Sequence, residues 1–254
     1  MKLGFIGTGK IASSIIYGIF KSKLKINKIY ISSRNVNIAK KLKNKFSKVK
    51  VTSNNQEIID KSNVIFLSVT PIVGNRILNE LSFNNKKNII SLISTIKLQK
   101  LKNLTKSKKI CKAIPLPFIE NLNGPIIISP KNKIAKRIFS KLGHVIEIKD
   151  EKMSYSFWST SSVMAAYYEI YNSTKNWLVQ KGLNERIATD YVAELFLALS
   201  KDAFVKKKTG FKKLVAESQT PKGLNMQVLK ELKKVRFYDK FKQSLINVHK
   251  RIKR

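Results

Sequence analysis

The chain is poor in the residues that build metal centres and covalent cross-links. It has one cysteine, Cys111, and two histidines, His144 and His249, in 254 residues. A single thiol forms no internal disulfide and no multi-cysteine metal site, and the histidines lack ligand company, so no metal is expected. The lone cysteine agrees with a reducing compartment, and a cytoplasmic protein is the expectation. No apolar run approaches the roughly 18 residues of a membrane span, so no membrane partner is expected. The opening MKLGFIG runs straight into a glycine turn, without the long apolar stretch and small-residue cleavage site of a secretory signal. Acidic residues are also scarce: 15 Asp and Glu stand against 51 Lys and Arg, a formal net charge of +36. Such an excess raises nucleic acid or an anionic surface as a partner. Yet the lysines are spread through the whole chain among many Asn and Ile, and no nucleic-acid motif accompanies them. Compositional drift is the plainer reading, nucleic acid is not expected, and attraction of an anionic cofactor or substrate stays open.

What is present is a patterned, foldable chain of 43% hydrophobic residues. Up to about residue 150, short apolar runs alternate with helical spacing. Lys2 to Ile6 reads as a buried strand ending in glycine, and Ile11, Ile15, Ile16 and Ile19 follow at helical intervals. Strands are expected at 28–32, 49–52, 64–69, 88–93, 109–114, 125–129 and 144–148. Helices are expected at 37–46 and 55–61, with a further helical turn at 76–81. Alternation with short connections predicts a doubly wound, mostly parallel sheet. From Met153 onward no strand is evident. One long helix is expected from Met153 to Gln180, stopped by Lys181-Gly182, and a second from Asn184 to about Lys207. A Pro-containing turn follows at Thr220–Gly223, and a last helix starts near Arg236. The fold class is therefore α/β: a Rossmann-type domain over 1–150, then an all-helical domain over 151–254.

Gly7-Thr8-Gly9-Lys10-Ile11-Ala12 is GxGxxA placed directly between a strand and a helix. Gly7 permits the tight turn, Gly9 lets a pyrophosphate approach the backbone, and Ala12 keeps the helix close to the sheet. Backbone N–H groups at the helix start face such phosphates, with Lys10 adding charge or standing as one more solvated lysine. The second strand ends Ser32-Ser33-Arg34-Asn35, where an NAD site usually carries an acid for the ribose hydroxyl. No acid is present. Arg34 can pair with a 2′-phosphate, with Ser33 and Asn35 donating, which points to NADP, with NADPH preferred over NADH. Arg34 as a plain surface charge is the alternative.

These segments together resemble pyrroline-5-carboxylate reductase. Gly4 to Ala12 (GFIGTGKIA) looks like that family's GFIGxGxMA opening. Asn55-Gln56-Glu57 sits where the family has Asn-x-Glu, and Leu67 to Pro71 (LSVTP) resembles its LAVKP, with Thr70 in place of lysine. Lys112-Ala113-Ile114-Pro115 resembles the start of R-x-M-P-N-T-P, altered afterwards by Leu116-Pro117. Phe139 to Glu147 also matches. In the helical half, Ser159 to Ala165 stands where the family has SGSGPA, and Gln219 to Asn225 where it has TSPGGTT. Its two threonines are here Leu224 and Asn225.

The resemblance implies NADPH-dependent reduction of the cyclic imine 1-pyrroline-5-carboxylate to L-proline. It adds Asn55, Val69, Thr70 and Pro71 to the cofactor residues Gly7, Thr8, Gly9, Lys10, Ile11, Ser33, Arg34 and Asn35. It implies that Thr220, Gly223, Leu224 and Asn225 hold a substrate carboxylate, with Asn225 and Ser162 as the catalytic candidates. Ser159–Ser162 facing solvent or a helix partner is the alternative for Ser162. Tyr155, Phe157, Trp158, Tyr167, Tyr168 and Tyr171 read as helix-packing surface. Val192, Leu195, Phe196, Leu199 and Phe204 form an apolar face too broad for one helical layer, and the family implies a homodimer, or a ring of dimers, through 151–254. A relative acting on another imine or keto substrate, and a nucleotide-sensing or nucleic-acid-binding protein on the same fold, are the competing readings.

Overall fold

The structure is a computed structural model in which residues 1–253 are described. The chain forms two compact units: residues 1–158 together with those from His249 on, and Ser159–Val248.

The first unit alternates strand and helix as expected. Its elements are β1 (Lys2–Ile6), α1 (Lys10–Lys21), β2 (Lys28–Ser32), α2 (Val36–Lys45), β3 (Val49–Thr52), α3 (Asn55–Lys61), β4 (Val64–Leu67) and α4 (Pro71–Ile77). They continue with β5 (Asn88–Ser91), α5 (Leu98–Thr105), β6 (Ile110–Ile114), a 3₁₀ turn (Pro117–Asn121), β7 (Pro125–Ser129), α6 (Lys133–Phe139), β8 (His144–Glu147) and most of α7 (Glu151–Thr160). The eight strands make one sheet in the order β3-β2-β1-β4-β5-β6-β7-β8, parallel throughout except at β6–β7. From β1 the chain winds outward through β2 and β3, then crosses back to lay β4 on the other side of β1. That reversal opens a crevice at the carboxyl ends of β1 and β4, the usual place for a ligand in such sheets.

Hydrophobic burial holds this sheet. Every residue of β4 is buried, as are Leu3, Phe5 and Ile6 of β1, because helices cover both faces. Phe5 and Phe66 stack with ring centres 4.4 Å apart, and Phe139 meets Phe66 edge-on at 6.1 Å. On α1, Ala12, Ile15, Ile16 and Ile19 all face the sheet, following the 3.6-residue period.

Three helical details depart from expectation. Of the turn expected at 76–81 only Arg76 and Ile77 are helical, as the end of α4, which starts at Pro71 because proline's fixed φ suits the first helical position. The apolar spacing of Ile77, Leu78 and Leu81 continues beyond its end. Helices α5 and α6 are additional. Asn132 starts α6, its side chain accepting from Ala135 N–H at 2.9 Å. The long helix expected from Met153 is interrupted by a 3₁₀ turn at Ser161–Val163, separating α7 from α8 (Met164–Gln180). Ser162 Oγ donates to Ser159 O at 2.6 Å there, a local bond that competes with regular helix.

The second unit is helical: α8, α9 (Glu185–Val205), α10 (Phe211–Glu217), α11 (Leu224–Lys234) and most of α12 (Phe237–Lys253). Asn184 caps α9 by accepting from Arg186 N–H at 2.9 Å. Tyr171 of α8 stacks on Phe196 of α9 at 4.4 Å, and Lys175 pairs with Glu185 at 2.8 Å. Within α9 only Ala188 and Val192 are buried; Leu199 and Phe204 stand 56% and 68% exposed. Among the described residues, no helix is long and apolar enough to cross a membrane, and no cluster of three or more His, Cys, Asp or Glu can hold a metal ion.

Candidate functional site

The crevice at the switch point is built by the β1–α1 turn. Gly7 has φ +96°, and a side chain there would meet Ser68 O and Val69 Cγ1 at 2.6 Å, so only glycine fits. Neighbouring groups pin the turn. Gly7 N–H donates to Ser32 Oγ at 2.7 Å, the buried Thr8 hydroxyl donates to Ser32 O at 2.7 Å, and Ser68 Oγ donates to Gly7 O at 2.6 Å. Gly9, the residue before α1, has open space where a Cβ would be. The first turn of α1 carries neither a side-chain cap nor an acidic residue, so its N–H groups and the positive end of the helix dipole face the crevice.

Two adjoining cavities mark the place. The larger, about 460 Å³, lies along Gly7, Thr8, Gly9, Arg34, Val69 and Thr70. The smaller, about 160 Å³, is bounded by Ser33, Arg34, Ser53, Asn55 and Arg76 among others. The structure thus brings together Gly7, Thr8, Gly9, Ser33, Arg34, Asn35, Asn55, Val69 and Thr70 from four separated stretches of sequence. Lys10, Ile11 and Pro71 stand beside the cavities as the first turns of α1 and α4 rather than in their walls. Asn35 has a second duty, its Oδ1 capping α2 by accepting from Ile38 N–H at 3.2 Å. Ser53 and Arg76 join the walls without any local motif announcing them, because they come from the ends of β3 and α4, which only the folded sheet places beside Arg34.

The residues fit a phosphorylated adenine dinucleotide. Gly9 leaves room for a pyrophosphate, the helix start supplies donors, and no carboxylate lines either cavity. Asn55 Oδ1 is buried without a hydrogen-bond partner, an acceptor that a ligand hydroxyl or amino group would satisfy.

In the helical unit, Thr220 to Gly223 form a tight turn leading into α11. Gly223 N–H donates to Thr220 O at 2.9 Å, Lys222 lies at φ +64°, and a side chain at 223 would come within 2.1 Å of Thr220 Oγ1. Leu224 is 81% exposed, and the first turn of α11 has no side-chain cap. Asn225 Nδ2 donates to Ser218 O at 3.0 Å, so its amide ties the turn to the end of α10. Ser162 lies in the 3₁₀ turn with its hydroxyl donated to Ser159 O.

Two family signatures match the chain. Residues 2–95 match the one described as NADP oxidoreductase coenzyme F420-dependent, and residues 150–254 match pyrroline-5-carboxylate reductase dimerisation. The pyrroline-5-carboxylate reductase of Synechocystis is 27% identical over 161 residues, spanning 60% of this chain and 60% of that protein's length. Two solved structures share the fold across the whole chain. The Streptococcus pyogenes 1-pyrroline-5-carboxylate reductase has a TM-score of 0.86 at 20% identity, covering 100% of this chain and 98% of that one. The Plasmodium falciparum pyrroline carboxylate reductase, solved with NADP bound, has 0.84 at 21% identity, covering 100% and 97%. The carboxyl-terminal half of the chain thus carries a pyrroline-5-carboxylate reductase dimerisation domain, and the fold is that of the solved pyrroline-5-carboxylate reductases.

Proposed function

We propose that this chain is an oxidoreductase that reduces 1-pyrroline-5-carboxylate to L-proline with NADPH. The observation that carries the reading is the acid-free crevice at the switch point, where the Gly7–Gly9 turn, Arg34 and the unpartnered Asn55 acceptor converge. Bound there, the dinucleotide supplies a hydride for the imine carbon, and a proton taken up from solvent completes the amine. Gly7, Thr8 and Gly9 orient the pyrophosphate, while Ser33, Arg34 and Asn35 hold the 2′-phosphate end. Val69, Thr70 and Pro71 flank the path towards the nicotinamide.

The helical unit supplies the substrate turn. Its Thr220–Asn225 segment offers the uncapped N–H groups at the start of α11 to the substrate carboxylate, a favourable place for an anion. Asn225 holds the turn through Ser218 and stands nearest to a catalytic role, with Ser162 beside it in the assignment. A protonated imine needs little acid assistance, so position and exclusion of water carry most of the rate. The exposed faces of α9 and the match of residues 150–254 to a dimerisation domain support a homodimer. The reading places the reaction in the cytoplasm, in proline biosynthesis.

A second reading, reduction of another imine or keto substrate on the same scaffold, draws on Leu224. A bare, 81% exposed leucine occupies the position of the first family threonine, which changes what the turn presents. NADPH consumption with 1-pyrroline-5-carboxylate, set beside NADH and a panel of cyclic imines, decides between them. Turnover of 1-pyrroline-5-carboxylate is expected. Turnover of a different imine alone selects the second reading, and no NADPH binding defeats both.

A further inference from the structure

We infer that Arg76 is a second guanidinium for the 2′-phosphate, acting with Arg34 from a separate element that lines the same smaller cavity. The inference rests on the dinucleotide reading above. Arg34 follows β2 and Arg76 belongs to the last turn of α4, yet both border the same cleft of about 160 Å³. No Asp or Glu lines that cleft, and among the described residues no ion pair engages either arginine. Two cations facing one small space repel each other, and an anion between them turns that repulsion into attraction. Guanidinium groups suit a phosphate because their planar N–H forks donate two parallel bonds.

The rest of the wall has the chemistry of the same ligand. Ser33 and Ser53 bring hydroxyl groups to the cleft, and the buried Asn55 Oδ1 is an acceptor awaiting a donor such as a ribose hydroxyl. Arg34 and Gly7 border both cavities, so a molecule whose pyrophosphate lies over Gly7–Gly9 would turn its adenosine end into the smaller one. Arg76 is exposed, and among the described residues its side chain makes no hydrogen bond or ion pair on which the fold depends, so it is open to substitution.

The test is equilibrium binding by calorimetry to the full-length protein, with adenosine 2′,5′-bisphosphate and ADP as the two probes. The variants are Arg76→Gln and Arg76→Lys, with Arg34→Ala for comparison. Arg76→Gln is expected to weaken adenosine 2′,5′-bisphosphate about tenfold or more and leave ADP within about twofold. Arg76→Lys, which keeps the charge, should recover most of the loss, and Arg76→Gln should flatten the salt dependence of bisphosphate binding. Equal loss of both probes would make Arg76 an adenine-stacking group and overturn the assignment, as would no loss of either. If the unmodified protein itself fails to prefer the 2′-phosphorylated probe, the NADP reading falls and Arg76 with it; an undiminished preference in Arg76→Gln defeats Arg76 alone.

Discussion

Lys112, buried in β6, forms an ion pair with Glu151 of α7: the Lys112 ammonium donates to Glu151 Oε1 at 2.9 Å. The same ammonium donates to Ser94 O at 2.7 Å and Ile96 O at 3.0 Å, while both Glu151 oxygens accept from Leu98 N–H, the first residue of α5. One pair thus joins β6, the loop before α5 and the start of α7. Burial pulls the Lys112 ammonium below the ordinary lysine range, and the bond and charge of Glu151 oppose that shift.

Breaking this pair from the two sides should differ in cost. Glu151→Ala strands an ammonium with 1% exposure, and the loss should reach about 3–5 kcal/mol. Lys112→Met should lose less, because Glu151 keeps its Leu98 bond and is 17% exposed to water. Urea unfolding should rank midpoints as unmodified, then Lys112→Met, then Glu151→Ala. The reverse order of the two variants would deny that the stranded charge dominates.

The two glycines of the β1–α1 turn should separate stability from binding. Gly7→Ala combines φ +96° with a 2.6 Å clash against Ser68 O, and should destabilise by more than about 2 kcal/mol. Gly9→Ala meets nothing within 4 Å and has φ −90°, which alanine accepts, so its melting curve should stay close to the original. Its NADPH affinity should nonetheless fall about tenfold or more, since the new methyl occupies the pyrophosphate's approach. Unchanged affinity in Gly9→Ala would remove the pyrophosphate from that position.

Arg34→Ala should weaken NADPH by at least about tenfold while changing NADH by less than about threefold, as a charged contact to one phosphate predicts. Protein-fluorescence titration with each nucleotide measures this directly. Equal losses would leave Arg34 as a general surface charge.

Cys111 should be silent toward thiol reagents in the folded protein and should react fully once denatured, because it is buried in β6. Burial pushes its thiol up to about 12, so the folded state holds the proton where the unfolded chain, titrating near 9, releases it. The associated stability is complete below about pH 9 and is lost as pH rises towards about 12. The stability gap between the unmodified protein and Cys111→Ala should therefore shift against the thiol across that window. A constant gap would contradict the buried, protonated state.

The cofactor end of the molecule was legible in the sequence because its determinants are local. A strand, a glycine turn and a helix start lie in succession from Lys2 to Lys21, and the missing acid after β2 is visible at Arg34 without any folding argument. The helical half was legible in layout for the same reason, through Asn184, Gly182 and the apolar spacing of α9. The break at Ser161–Val163 was not, because four consecutive hydroxyl residues are compatible with helix until one of them, Ser162, donates to the Ser159 carbonyl.

By itself, then, the order of residues determined the alternation of elements, the glycine turn and the absence of an acid beside Arg34, all set by steric and hydrogen-bonding preferences within a few residues. Only the tertiary structure decided that Arg76 and Ser53 share a cleft with Arg34, that Lys112 finds Glu151, and that Asn55 Oδ1 is left buried and unpaired. Those relationships depend on the crossover that lays β4 beside β1 and on the packing of separate helices over the sheet, and long-range burial rather than local spacing sets them.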